Sequence, residues 1–247
     1  MTAPRLYAAD LAGVLVPGGS VALPAAAAHH AANVLRLRTR DAVTLFTGEG
    51  GEFAATIERI DRRAVIVRVD AFVDAGRESA LAVTLVQAVA AGDAMDYAIR
   101  KSVELGAAAV QPLITARSAP LGEGTRAAQK RERWQNVAIA ACEQSGRNRV
   151  PGVAAPVALA QWLAGRGAAG TGIVLAPQGA VPLGGMRPPA AAVDLLVGPE
   201  GGFTVEEVAA ATRAGMLAVR MGPRVLRTET AGPAALAAMQ TLWGDFR

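Results

Sequence analysis

The sequence predicts two domains, a small mostly β unit over residues 1–73 and a larger α/β domain over residues 74–247. Short alternating or β-branched runs dominate residues 42–73, and such runs are typical of strands. From residue 80 onward, apolar strand-like runs alternate with helical patterns, which indicates a mostly parallel sheet with helices on both faces. The polar stretch DAGRES, residues 74–79, separates the two patterns and marks the boundary.

The elements of the small unit follow from its turns. Strands are expected over residues 42–48, 52–60 and 64–73, because GEGG and DRR separate the three runs. A helical pattern, AAAAHHAANVLRLR at residues 25–38, interrupts the unit once. This order suggests a small β-barrel with a single helical insertion.

The larger domain has four clear strand-like runs and four helical patterns. The helix at residue 204 has a cap signature, because Thr204 is followed three residues later by Glu207. The strand-like runs cover residues 80–90, 108–115, 172–179 and 193–202, and the helical patterns cover residues 93–106, 126–146, 204–214 and 230–243.

Composition sets the broad class. The chain has 247 residues, of which 52% are hydrophobic and 19% charged, and this excludes general disorder. The formal net charge is +4, and the positive charge is almost all arginine. Arginine suits phosphate and nucleic-acid contacts, although Ala- and Arg-rich usage can equally reflect genome composition.

Cysteine usage and hydropathy indicate a soluble, intracellular protein. Cys142 is the only cysteine, so neither an intramolecular disulfide nor a multi-cysteine metal site is expected. The first residues lack the layout of a signal peptide. The longest apolar run, residues 80–91, is shorter than the roughly 20 residues of a membrane span.

Residues 195–208 read LLVGPEGGFTVEEV, an apolar strand followed by a glycine-rich turn and a helix start. The glycines permit positive φ and close backbone approach, so main-chain amides could face a ligand at the helix N-terminus. In an open parallel sheet, ligands bind beyond the carboxyl ends of the strands, where this turn would lie. The alternative is a capped, tight turn with nothing bound.

Two further stretches favour a ligand-binding site over a plain capped turn. MGPRVLRTETAGPAAL, residues 221–236, places Arg224, Arg227 and Glu229 just before a helix, and LAPQGAVPLGG, residues 175–185, also follows an apolar strand. Three strands that end in Gly/Pro loops predict one composite pocket built mainly from backbone groups. No GxxxxGK[ST] phosphate loop and no GxGxxG turn is present, which argues against a nucleotide triphosphatase or a Rossmann dehydrogenase.

Candidate RNA contacts fall in two segments. The segment QSGRNR, residues 144–149, ends a helix with a cluster of hydrogen-bonding groups, which suits RNA phosphates and base edges. His29 and His30 point to different helix faces, so they do not chelate one metal together, and no metal site is expected. With the arginines that follow they would form a basic surface, for which simple solubility is the alternative. The candidate RNA-binding residues are His29, His30, Arg36, Arg38, Gln144, Arg147, Asn148 and Arg149.

Four stretches, in order along the chain, resemble the bacterial RsmE family. They are IRKSVELGAAAVQPL, AACEQSGRNRVP, LVGPEGGFTVEEV and MGPRVLRTETA, and the match also includes HHAANVLRLRTRDAVTLFTGEGGEF in the small domain. That family methylates N3 of one uridine in small-subunit (16S) ribosomal RNA, using S-adenosylmethionine. The resemblance implies a PUA-like RNA-binding β-barrel followed by a SPOUT methyltransferase domain whose C-terminal part forms a trefoil knot. It also implies a cytoplasmic homodimer whose partner is ribosomal RNA or the small ribosomal subunit.

The resemblance also implies which residues hold S-adenosylmethionine. Apolar residues of the three loops would sandwich the adenine, and the glycines would leave room for the backbone to approach it. The expected cofactor-binding residues are Leu175, Ala176, Pro177, Gly198, Pro199, Glu200, Gly201, Gly202, Met221, Gly222, Arg224, Leu226, Thr228, Thr230 and Ala231.

The catalytic residues are expected among Arg227, Glu229 and Glu200. Uridine N3 carries a proton, so a base must remove it, and either carboxylate could do so while Arg227 or Arg224 stabilises the developing anion. We favour Arg227 and Glu229, because they lie in the loop that leads into the last helix. The competing interpretation is that the two carboxylates only tie the loops together. The functional alternatives are a non-catalytic RNA-binding or ribosome-assembly factor and a SPOUT methyltransferase acting on another RNA.

Overall fold

The computed structural model describes residues 3–122, 124–167 and 170–246. The chain divides into two compact units. The first comprises Met1–Glu78 and Cys142–Val150, and the second comprises Ser79–Ala141 and Pro151–Arg247. The predicted boundary after residue 73 therefore differs from the observed division, because residues 74–78 and 142–150 pack with the first unit.

The first unit is built on a five-stranded sheet in the order β1-β3-β4-β5-β2. Strands β1 and β3 are parallel, and the other neighbours are antiparallel. The two strands that the sequence did not predict, β1 and β2, have three residues each and are too short for a pattern to show. The strands are β1 (Arg5–Tyr7), β2 (Ser20–Ala22), β3 (Ala42–Phe46), β4 (Glu52–Ile60) and β5 (Val65–Val73).

The helical insertion is shorter than the predicted 25–38. Helix α1 covers Ala25–His29 and continues as a π-helical segment, His30–Val34. Arg36 then adopts a left-handed φ of 54°, which a helix cannot accommodate, so the helical path ends before it. Arg40 has a φ of 75°, and the loop between these two arginines is therefore irregular.

Glu52 on β4 anchors an ion-pair group of the first unit. Its carboxylate accepts hydrogen bonds from Arg77, at 2.6 and 3.2 Å, and from Arg5. The hydrogen bonds from Arg77, followed by the one from Arg5, lower the pKa of Glu52 from 4.5 to about 2. The ionised carboxylate therefore stabilises this unit.

The second unit contains an eight-stranded sheet in which every pairing is parallel. Its order is β11-β13-β10-β12-β6-β7-β8, and β9 also pairs with β7. The parallel α/β sheet that the sequence predicts is confirmed. The strands are β6 (Val83–Ala88), β7 (Ala109–Ile114), β8 (Gly152–Val153), β9 (Val157–Ala158), β10 (Thr171–Leu175), β11 (Val181–Pro182), β12 (Val193–Val197) and β13 (Leu217–Arg220).

Among the residues that the structure describes, five helices accompany this sheet, and two of them show how the sequence places them. Helix α2 buries Met95, Ile99 and Val103, which lie one helical turn apart and form its apolar face. Helix α6 begins at Thr228, two residues before the predicted start. The helices are α2 (Asp93–Glu104), α3 (Thr125–Ser145), α4 (Leu159–Gly165), α5 (Val205–Arg213) and α6 (Thr228–Trp243). Within the described ranges, no helix is long and apolar enough to cross a membrane.

Candidate active site

A cavity of about 330 Å³ lies in the second unit, where the loops after β10, β12 and β13 meet. Because these strands are parallel, their carboxyl ends reach one edge of the sheet, and the three predicted loops come together there. All the expected cofactor-binding residues line this cavity except Gly222 and Thr230. The sequence predicts one composite pocket, and the structure brings together the three loops that form its walls.

Six lining residues are not among the individually named candidates, although two of them, Gln178 and Val225, lie within the loops expected to hold the cofactor. Gln178 and Phe203 directly follow predicted residues, so the motif itself could have supplied them, and Val225 lies between two. Val208 lies one turn inside α5, and the strand-end residues Val197 and Val219 looked like ordinary core. The six are Gln178, Val197, Phe203, Val208, Val219 and Val225.

The turn after β12 needs its glycines for two different reasons. A Cβ on Gly198 would meet the ring of Phe203 at 3.2 Å, so the absence of a side chain lets this ring close over the turn. Gly202 has a φ of 67°, which side chains rarely permit. The capping box that follows is present: Glu207 N donates to Thr204 Oγ1 at 3.2 Å, and Thr204 N donates to Glu207 Oε2 at 2.9 Å.

The loop after β7 braces this turn. Ala116 N donates to Glu207 Oε1 at 2.8 Å, so one carboxylate caps α5 and also holds the neighbouring loop. Arg117 Nη1 donates to the Gly201 carbonyl at 2.7 Å. The wall formed by the glycine turn is therefore fixed from outside as well as by its own backbone.

The three catalytic candidates occupy different positions. Glu200 lines the cavity, and its Oε1 accepts a hydrogen bond from Ala91 N at 2.7 Å. Arg227 is the exposed N-cap residue of α6, and Glu229 is half-buried in the first turn of that helix. Neither Arg227 nor Glu229 is a lining residue, and their catalytic assignment stays a prediction.

Most candidate RNA-binding residues are exposed on the first unit. Arg36, Arg38, Gln144 and Arg149 are exposed, as is His29, whose Nδ1 lies 3.0 Å from Asn33 Nδ2. His30 is half-buried, with Nδ1 at 3.7 Å from Glu143 Oε2. The exposed members can reach a nucleic acid.

Arg147 and Asn148 do not fit the predicted RNA surface. Arg147 is 6% exposed and forms an ion pair with Glu78, and Asn148 is 1% exposed. The Asn148 amide accepts from Arg5 and donates to the Ala75 carbonyl at 2.9 Å. A buried, paired guanidinium serves the packing of the first unit, so we correct these two assignments to structural roles.

Two other groups bear on the chemistry. Burial raises the pKa of the Cys142 thiol to about 11, so Cys142 is a packing residue and not a nucleophile. In the part of the chain that the structure describes, no group of three or more His, Cys, Asp or Glu side chains could hold a metal ion.

Comparisons with known proteins agree with this architecture. A family model described as an RNA methyltransferase domain matches residues 77–240, and one described as an RNA methyltransferase PUA domain matches residues 23–70. The Bacillus subtilis ribosomal RNA small subunit methyltransferase E is 32% identical over 85% of this chain and 86% of its own length.

Two solved structures cover all of this chain and are themselves covered completely. The Neisseria gonorrhoeae ribosomal RNA small subunit methyltransferase E, bound to S-adenosylmethionine, is 41% identical with a TM-score of 0.93. A Legionella pneumophila protein in complex with the same cofactor is 37% identical with a TM-score of 0.94.

The parallel sheet, the loop-built cavity and the two matching domain models define an RNA methyltransferase with a PUA domain. More narrowly, the chain belongs to the ribosomal RNA small subunit methyltransferase E family, the RsmE family.

Proposed function

We propose that this protein transfers the methyl group of S-adenosylmethionine to N3 of a uridine in 16S ribosomal RNA. The observation that carries the proposal is the cavity at the carboxyl ends of β10, β12 and β13, whose walls are the glycine- and proline-rich loops. The relatives with the highest structural similarity quoted above were solved with this cofactor bound.

The lining residues fit an adenosine carrying a sulfonium group. Leu175, Met221 and Leu226 offer apolar faces for a flat ring, while Gly201 and Gly202 leave main-chain groups accessible. The cavity volume of about 330 Å³ is in the range of small-molecule sites. Arg224 is the lining residue that carries a positive charge, and because it is exposed, solvent screens its repulsion of a cationic ligand.

S-adenosylmethionine, when bound, supplies an electrophilic methyl group on sulfur. The protein must then orient uridine N3 in line with that group and remove the N3 proton. We assign proton removal to Glu229 and stabilisation of the uridine anion to Arg227. Both lie at the start of α6, next to lining residues Leu226 and Thr228.

Glu200 is better suited to holding the loops. Its carboxylate already receives the Ala91 amide at 2.7 Å, and this bond joins the turn after β12 to the segment after β6. A carboxylate engaged in this way positions the cavity wall. We therefore prefer Glu229 as the base.

We infer four further properties from family membership. The first unit would form a PUA-like barrel that binds RNA through Arg36, Arg38 and Arg149. The protein would act as a homodimer in the cytoplasm. The C-terminal part would form a trefoil knot. The position of β13 between β10 and β11 supports a chain that passes back through its own loops in this region.

A methyl-transfer assay tests the activity and the RNA class together. Tritiated S-adenosylmethionine is incubated with the protein and, separately, with 30S subunits lacking the modification, naked 16S RNA and transfer RNA. We expect label in the 30S sample or in naked 16S RNA. Label only in transfer RNA would support a different target, and RNA binding without any label would support an assembly factor.

A further inference from the structure

A buried hydrogen-bonded pair lies behind the cavity wall. Gln87, near the end of β6, is fully buried and is not a lining residue. Its Nε2 lies 3.0 Å from Thr228 Oγ1 and 3.4 Å from the Gly198 carbonyl oxygen. Thr228 Oγ1 in turn donates to the Gly198 carbonyl at 2.6 Å. Gly198 and Thr228 both line the cavity, so the pair connects two of its walls.

The chemistry of these three groups fixes the direction of the bonds. The Thr228 hydroxyl has one proton, and that proton goes to the Gly198 carbonyl. The hydroxyl oxygen can then only accept, so the residue at position 87 must be a donor. The Gln87 amide meets this requirement, and an ionised carboxylate would not.

The oxygen of the same Gln87 amide lacks a hydrogen-bond partner within the described part of the chain. Nε2 also lies 3.1 Å from the Ala88 carbonyl, but Oε1 is buried and finds no hydrogen-bond partner among the described residues. A buried acceptor without a partner is unfavourable for folding, so stability alone would favour an apolar side chain here. The need for an Nε2 proton at the Thr228 hydroxyl, behind the cavity wall, accounts for glutamine at this position.

We propose that Gln87 is a positioning residue that acts through Thr228. It holds the Gly198 carbonyl inward and so sets the spacing between the turn after β12 and the first turn of α6. This inference rests on the proposed role of the cavity as the S-adenosylmethionine site.

The test compares cofactor affinity with stability in the full chain. Gln87→Met keeps the side-chain volume similar and removes the donors. We expect the Kd for S-adenosylmethionine, measured by calorimetry, to rise about fivefold to tenfold. The ligand-free Tm should stay within about 2 °C of wild type, because the unmatched acceptor is removed as well.

Gln240 provides a matched control. It is also fully buried in the second unit, where its Nε2 donates to the Leu105 carbonyl at 3.0 Å and its Oε1 accepts from Ser79 at 2.8 Å. Gln240→Met should lower the Tm by roughly 3–8 °C and leave the Kd unchanged. Thr228→Val, which removes the hydroxyl, should raise the Kd as Gln87→Met does.

Each outcome decides one point. A wild-type Kd for Gln87→Met, or a higher Kd that is matched by Gln240→Met, would overturn the positioning role. Ala231→Trp, which fills the cavity, distinguishes failure of the positioning role from failure of the proposed cofactor site. If Ala231→Trp binds S-adenosylmethionine like wild type, the cofactor lies elsewhere and both ideas fail. If it abolishes binding while Gln87→Met is unaffected, only the positioning role fails.

Discussion

Gly179 lies four residues after the end of β10, at a position where the structure leaves no room for a side chain. A Cβ at this position would lie 2.6 Å from the Val219 carbonyl carbon and 2.7 Å from the Ala218 carbonyl oxygen. These are backbone atoms of β13, so no side-chain rotation relieves the clash. The Gly179 carbonyl also accepts a hydrogen bond from Arg220 at 3.0 Å, which holds the loop against the strand.

Gly179→Ala should therefore separate this loop from β13. Overpacking of this kind costs about 1–3 kcal/mol, and contact with backbone places it near the upper end. For a unit of this size, about 2–3 kcal/mol lowers the Tm by roughly 4–12 °C. Because the preceding residues line the cavity, cofactor affinity should fall as well.

Differential scanning calorimetry of Gly179→Ala and Gly184→Ala measures the effect. Gly184 is the matched control, because a Cβ there meets nothing within 4 Å and its φ is not positive. Its replacement should change stability by less than about 0.5 kcal/mol. Equal Tm values for the two variants would refute the packing argument.

Three other predictions concern charge. Glu52→Gln should make the free energy of unfolding in urea fall less steeply between about pH 4.5 and 2, because the ionised carboxylate with its lowered pKa stabilises the fold above that window and loses this effect as the pH falls through it. An unchanged pH profile would show that this ion-pair group does not contribute to the stability of the first unit. Arg227→Ala and Glu229→Ala should each slow methyl transfer by about 100-fold or more in single-turnover assays, with little change in RNA affinity. An equal loss of methyl-transfer rate and RNA affinity would contradict their catalytic roles. Arg38→Ala should weaken RNA binding and reduce its salt dependence by about one phosphate contact in anisotropy titrations, whereas Arg147→Ala should mainly lower the Tm. Weaker RNA binding by Arg147→Ala at an unchanged Tm would make Arg147 an RNA contact after all.

Local signals made much of the fold predictable. The run of residues 52–60 was predicted as a strand and is β4, because alternation is bounded there by a glycine turn and an aspartate turn. The start of α5 followed from Thr204 and Glu207, whose capping box depends on a spacing of three residues. The cavity followed from three Gly/Pro loops after apolar strands, since parallel strands bring such loops to one edge.

Long-range partners could not be read from the sequence. Arg147 looked like an RNA contact because Glu78, which buries and pairs it, is 69 residues away along the chain. Gln87 stands in an apolar run and gave no sign of its bond to Thr228, 141 residues later. Strands of two or three residues, such as β8 and β1, gain their pairing from neighbours and carry no periodic pattern.

Mass spectrometry of the modified nucleotide tests the central claim most directly. The protein is incubated with S-adenosylmethionine and 30S subunits that lack the modification, and the 16S RNA is then digested to nucleosides. We expect 3-methyluridine, and we expect its loss with Ala231→Trp, which blocks the cavity. A methylated product at another atom or base, or 3-methyluridine that persists with the cavity blocked, would contradict this claim.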